Sequence, residues 1–395
     1  MVPIRYTSAH SCLVKRLHFF PRVHHNEGVK RSKGGCFMNE EERLAMWKRL
    51  TEAPGAPGFE GPVRDVMSEY ISRYTKETVS DNLGSLFGVK RGDDNGPRIM
   101  VAGHLDEVGF MVTRISEKGF LSFQTLGGWW GQVLLAQRVH VITPNGPVEG
   151  VIGAIPPHVL GEEQRNRPMD VRNMFIDIGV DSRAEAENLG IHPGAPVVPV
   201  CPFTVMANPK RLLAKAWDNR YGCSLAIELL QHLTEDPHHP NVVYAGATVQ
   251  EEVGVRGAKT AAHLINPDVF FAVDASPAGD IPGLRDESGR LGGGVLMRLY
   301  DPTFILLPGL RDLLIETCEQ EKIPYQIYIA KGGTDAASVH LHGSGVPTAV
   351  IGIPARYIHS HVSIIDRDDY DAAKRLLCSV VKKLDRATLD AIRRR

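Results

Sequence analysis

Four short apolar runs, each leading into histidine or carboxylate residues, restrict this chain more than any other feature of it. Residues 98–102 (RIMVA) lead into Gly103, His104, Leu105 and Asp106, and residues 242–249 (VVYAGATV) lead into Gln250, Glu251 and Glu252. Residues 269–273 (VFFAV) are followed by Asp274, and residues 348–352 (TAVIG) by a segment carrying His359 and His361. Runs this short, rich in β-branched residues and without polar alternation, read as strands buried on both faces. Helical patterns at 219–234, 255–264, 308–321 and 368–395 lie between or after them, and two more at 39–51 and 60–75 precede them. Strands alternating with helices indicate an α/β layer fold with a sheet covered on both sides.

The stretch 109–204 breaks that rhythm. Its runs are short and alternating, as in 138–143 (RVHVIT), and turn signals such as 143–146 (TPNG) separate them. Only 182–190 looks helical there, so the segment reads as a small β-rich domain inserted into an α/β domain made of 39–108 and 205–395. The N-terminal extension, 1–38, is expected to be disordered. Its first 37 residues carry seven Lys or Arg against one acid, with four His and no periodicity. It lacks the apolar core of a signal peptide. Asn39 and Glu42, just after Met38, have the spacing of a capping box at a natural beginning.

The formal net charge of -1 offers no field for nucleic acid or a membrane surface. No stretch approaches the roughly 18 apolar residues of a spanning helix. The six cysteines contain no C-x-x-C pair and read as reduced thiols, which points to the cytoplasm.

In an open α/β sheet, ligands bind beyond the carboxyl ends of the strands, so the four polar ends can converge in space. Asp218, just before a helical pattern, joins them, although Asp there also suits a helix cap. Histidines and carboxylates without a cysteine partner suit zinc, cobalt or manganese. His104, Asp218, Glu252, Asp274 and His359 are enough ligands for two ions sharing one carboxylate, a pairing that activates water for hydrolysis. Glu251 and Glu252 supply a ligand and a base between them, and Asp106 can accept the His104 ring N–H. His359 and His361 compete for one ligand position, because residues two apart on an extended segment point the same way. His340, His342 and the Trp129–Trp130 pair read more readily as structural, and Asp335 suits contact with substrate and stabilisation of its turn equally.

Residues 103–110 (GHLDEVGF), 217–222 (WDNRYG), 250–257 (QEEVGVRG), 332–336 (GGTDA) and 356–360 (RYIHS), together with 127–130 (GGWW), resemble the tetrahedral aminopeptidases, which include glutamyl and deblocking aminopeptidases. The resemblance spans 39–390. It implies a metallopeptidase domain, a mixed sheet flanked by helices, with an inserted β-barrel-like domain. It also implies that Asp218 bridges two metals, with His104 and Asp274 on one and Glu252 and His359 on the other. Glu251 would then be the general base and Asp106 the orienter of His104. The expected substrates are peptides with a free N-terminus, and the expected assembly is a dodecameric cage. A two-metal deacylase or amidohydrolase on the same scaffold and a non-catalytic cage-forming binding protein are the rival expectations.

Overall fold

The computed structural model describes residues 38–284 and 289–394, so the extension, apart from Met38, lies outside the described residues. The described residues form a mixed nine-stranded sheet flanked by helices, a three-stranded sheet and a closed six-stranded barrel. None of their helices is long and apolar enough to cross a membrane.

The four strands read from the sequence lie side by side and parallel at the centre of the large sheet. Val242–Thr248 pairs with Arg98–His104, with Thr248 opposite His104. On the other side, Val269–Pro277 runs parallel with Ala272 opposite Ala102. Thr348–Ala355 follows it, with Gly352 opposite Asp274. Their carboxyl ends therefore share one edge. The boundaries differ in one respect that matters for chemistry: Asp274 lies within its strand, because pairing with Thr348–Ala355 continues to Pro277.

Antiparallel strands extend this parallel block on both sides. Leu86–Arg91 pairs with Val242–Thr248, and Val295–Asp301 pairs with Thr348–Ala355. The helix Trp217–Glu235 lies against three of the central strands and is buried along most of its length. Its close approach depends on glycine. A Cβ on Gly222 would meet the Val273 carbonyl oxygen at 2.4 Å and Gly103 Cα at 2.6 Å. Two of the motifs thus carry glycine where helix and strand touch. The helix expected over 368–395 is two helices, Arg367–Lys383 and Arg386–Arg394. Between them the Asp385 carboxylate accepts the Thr388 N–H at 2.7 Å, which starts the second helix afresh.

The barrel is built from Gly109–Ile115, Leu121–Leu126, Arg138–Thr143, Gly146–Gly153, Phe175–Asp177 and Pro196–Pro199. Pro196–Pro199 closes it by pairing with both Gly109–Ile115 and Arg138–Thr143. Alternate residues point inward, and Phe110, Val112, Leu121, Val139, Val141 and Ile176 fill a core separate from that of the large sheet.

Candidate active site

The carboxyl edge of the parallel block brings the candidate ligands together. His104 ends its strand, and its Nε2 lies 3.1 Å from Asp218 Oδ1, 3.8 Å from Glu251 Oε2 and 3.9 Å from Asp274 Oδ1. His359 Nε2 lies 3.3 Å from Asp218 Oδ2 and 3.3 Å from Glu252 Oε2. Asp218 therefore stands between the two imidazoles and turns one oxygen to each. His361 is not in the cluster. Its ring packs 5.2 Å from that of Trp129. The segment is not extended at His359, whose φ is 55°, so the rule that equal spacing means equal facing fails there.

Each imidazole is fixed by a carbonyl on its far side. His104 Nδ1 lies 3.0 Å from the Asp106 carbonyl oxygen, and His359 Nδ1 lies 3.0 Å from that of Gly128. A ring nitrogen facing a carbonyl must donate, so Nε2 of a neutral ring carries the lone pair toward the cluster. Asp106 thus meets His104 chiefly through its backbone, since its carboxylate is 3.5 Å from the ring. That carboxylate accepts the N–H of Glu251 at 3.0 Å and of Glu252 at 2.9 Å. The preceding amide, on Gln250, donates to Glu60 Oε1 at 3.1 Å. Three successive amides are therefore held by two buried carboxylates, and Gln250 itself has a left-handed φ of 54°.

The loop after His104 is anchored from behind. Glu107 accepts from Lys215 Nζ at 2.6 Å and from Arg220 Nη2 at 3.3 Å, all three side chains being buried. Arg220 Nε also donates to the Leu105 carbonyl at 2.9 Å. Glu60, Glu107 and the Gly128 carbonyl are supports that sequence reasoning missed. A carbonyl carries no residue-type signal, and Glu60 stands at the start of a helical pattern like any surface acid.

Electrostatics give the cluster its character. Burial opposes protonation of His104, yet Glu251, Asp106 and Asp218 outweigh it and raise its pKa well above the usual imidazole value. Burial likewise opposes the charge on Asp218, but His104 and His359 hold its pKa well below the carboxylate range. Burial, reinforced by neighbouring carboxylates, raises Glu251 and Asp274 strongly and pushes Glu252 to about 8. Asp335 is pushed to about 6, first by burial, while its Oδ2 accepts from Thr248 Oγ1 at 2.5 Å.

This donor set fits divalent cations. Ligand atoms of His104, Asp218 and Glu252 lie within 4.8 Å of one another, as do those of His104, Glu251 and Asp274. Glu252 Oε1 and Asp274 Oδ1 are buried without a hydrogen-bond partner. A surplus of buried carboxylate oxygens at such spacing is costly unless a cation shares them. The cluster opens into a cavity of about 630 Å³ whose walls include Arg298, Tyr328 and Lys331.

Such a fold and such a site define a metal-dependent hydrolase. The M42 glutamyl aminopeptidase family model matches residues 84–376. The chain is 43% identical over 341 residues to the glutamyl aminopeptidase of Lactococcus lactis subsp. cremoris, covering 86% of this chain and 95% of the relative. It is similar, with a TM-score of 0.87 and 43% identity, to a TET aminopeptidase structure from a marine sediment Thaumarchaeota archaeon, covering 89% of this chain and 99% of that one. A Pyrococcus horikoshii TET1 peptidase that can assemble into a tetrahedron or a large octahedral shell matches with a TM-score of 0.77 and 29% identity, over 87% of this chain and all (100%) of that one. The chain belongs to the M42 glutamyl aminopeptidase family, a family of metal-dependent peptide hydrolases.

Proposed function

We propose that the chain removes the first residue of a peptide with a free α-amino group, at a site where two divalent ions share Asp218. The observation that carries this reading is the division of Asp218, with Oδ1 at 3.1 Å from His104 and Oδ2 at 3.3 Å from His359. His104 and Asp274 would hold one ion, and Glu252 and His359 the other. Zinc, cobalt and manganese all suit these donors. When bound, such ions polarise the scissile carbonyl and acidify water.

The side chains do the rest. Glu251 takes a proton from the attacking water and returns it to the leaving amine, a task suited to a carboxylate whose buried setting raises its proton affinity. Asp106 sets the direction of Glu251 through the amide it holds. The α-ammonium group of the substrate sits among the carboxylates of the 630 Å³ cavity, with the first side chain in the remaining space. Residues 109–204 form the inserted domain beside a catalytic domain of 39–108 and 205–395. A homo-oligomeric shell, the dodecameric cage of the resemblance, follows from the likeness to a self-assembling TET peptidase. A cytoplasmic location suits Cys201, Cys223, Cys318 and Cys378, which are free and buried. Free-amine dipeptides compared with their N-acylated forms test the reading. Hydrolysis of the acylated series alone would transfer the site to a deacylase, and hydrolysis of neither would leave a binding protein.

The cavity also suggests which residue is removed. Among the described residues, the Arg and Lys side chains on its wall are Arg298 and Lys331. Arg298 is occupied by Asp301 at 3.1 Å and Ser276 at 2.8 Å. The exposed Lys331 has no ion-pair partner among the described residues, so an acidic first residue is favoured. Lys331→Glu is expected to lower the ratio of kcat/KM for glutamyl over alanyl anilide by about tenfold. An unchanged ratio would separate Lys331 from specificity.

A further inference from the structure

A second cavity, of about 450 Å³, adjoins the first and shares Gly128, Ile358 and His359 with it, so those residues form the partition. Asp218, Glu251, Glu252 and Asp274 line the first cavity, and none of them lines the second. The second is walled by Trp130, Val133, Tyr357, His361 and Val362. Trp130 is 64% exposed, Tyr357 52% and Val362 37%. The tryptophan pair, expected to serve packing, is divided between two tasks. Trp129 stacks on Phe110 at 4.7 Å and donates from Nε1 to the Gly109 carbonyl at 3.0 Å. Trp130 remains open toward solvent on the wall of the second cavity. His361, 2% exposed, closes the inner wall, and neither of its ring nitrogens has a hydrogen-bond partner.

We infer that this second cavity is the subsite for the second residue of the peptide and selects a large aromatic or aliphatic side chain there. The inference rests on the aminopeptidase reading. The first residue carries an ammonium group and belongs among carboxylates, which only the first of these two cavities provides. The scissile bond then lies at the His359 partition, where Glu252 and Asp218 approach the ring. The chain beyond that bond continues into the neighbouring space, where exposed indole, phenol and valine surfaces gain by being covered. Apolar pockets of this kind discriminate between side chains by burial rather than by charge.

Dipeptides with one common first residue and glycine, leucine or phenylalanine second provide the test. The wild-type kcat/KM for the phenylalanine member should exceed that for the glycine member by roughly tenfold. In Trp130→Ala, and separately in Val362→Glu, that ratio should fall toward one. An undiminished ratio in both variants overturns the subsite. So does a ratio that falls only in step with a changed oligomeric state by light scattering, which would give this face to a second copy. If the wild type cleaves all three at one rate, the subsite is wrong while the aminopeptidase reading stands. If it cleaves only N-acylated dipeptides, that reading fails first and the subsite with it.

Discussion

Glu251→Gln is expected to lower kcat for peptide hydrolysis by roughly 10²–10⁴-fold, the usual contribution of a positioned base, while metal content stays at the wild-type level. Glutamine keeps the shape of the side chain and its backbone N–H, so the bond to Asp106 Oδ1 at 3.0 Å survives. What disappears is the capacity to hold a proton between the attacking water and the leaving amine. Steady-state kinetics alongside metal analysis separate the two possible roles of this carboxylate. The distinction matters because Glu251 lies close enough to His104 and Asp274 to serve as a ligand. Wild-type rates in the variant would remove it as the base, and loss of metal would make it a ligand instead.

Asp218→Asn should have the other large effect, and it should reach both of the proposed ions together. Both imidazoles turn Nε2 toward this one carboxylate. An amide of the same size keeps an oxygen for one partner and presents N–H₂ to the other, with no negative charge for either. Bound metal should fall by at least about half, and kcat/KM by roughly 10³-fold, as several kilocalories of charge stabilisation are lost. Metal analysis after gel filtration, with activity measured at added zinc, cobalt and manganese, checks both values. Retention of the full metal complement would show that the ions do not share Asp218.

Much of this site could be read from the chain because buried parallel strands leave an obvious trace. The runs at 98–102, 242–249, 269–273 and 348–352 are nearly free of charge, and each charged residue just beyond them stands out. Other strands of the same sheet were harder to see. Val295–Asp301 carries Arg298 in its middle, buried because Asp301, Ser276 and the Gly332 carbonyl receive its guanidinium. Leu86–Arg91 ends on Lys90 and Arg91 and lies toward the edge of the sheet, where charge is tolerated. The choice between His359 and His361 was beyond periodicity, since it depends on a single left-handed residue. Glu60 and Gly128 were illegible for a different reason: their partners are 190 and 231 residues away.

His359 is held from the barrel side, because its Nδ1–H donates to the carbonyl of Gly128, in the loop that follows the barrel strand Leu121–Leu126. Among the described residues the barrel strands place nothing in the cluster, yet the Gly128 carbonyl sets where one proposed ligand points. A displacement of the barrel against the sheet would unfasten that ring and weaken any grip on a cation, and by reciprocity a cation held there would steady the barrel. The barrel thus bears on the catalytic edge through this carbonyl as well as through the packing of Trp129 on His361.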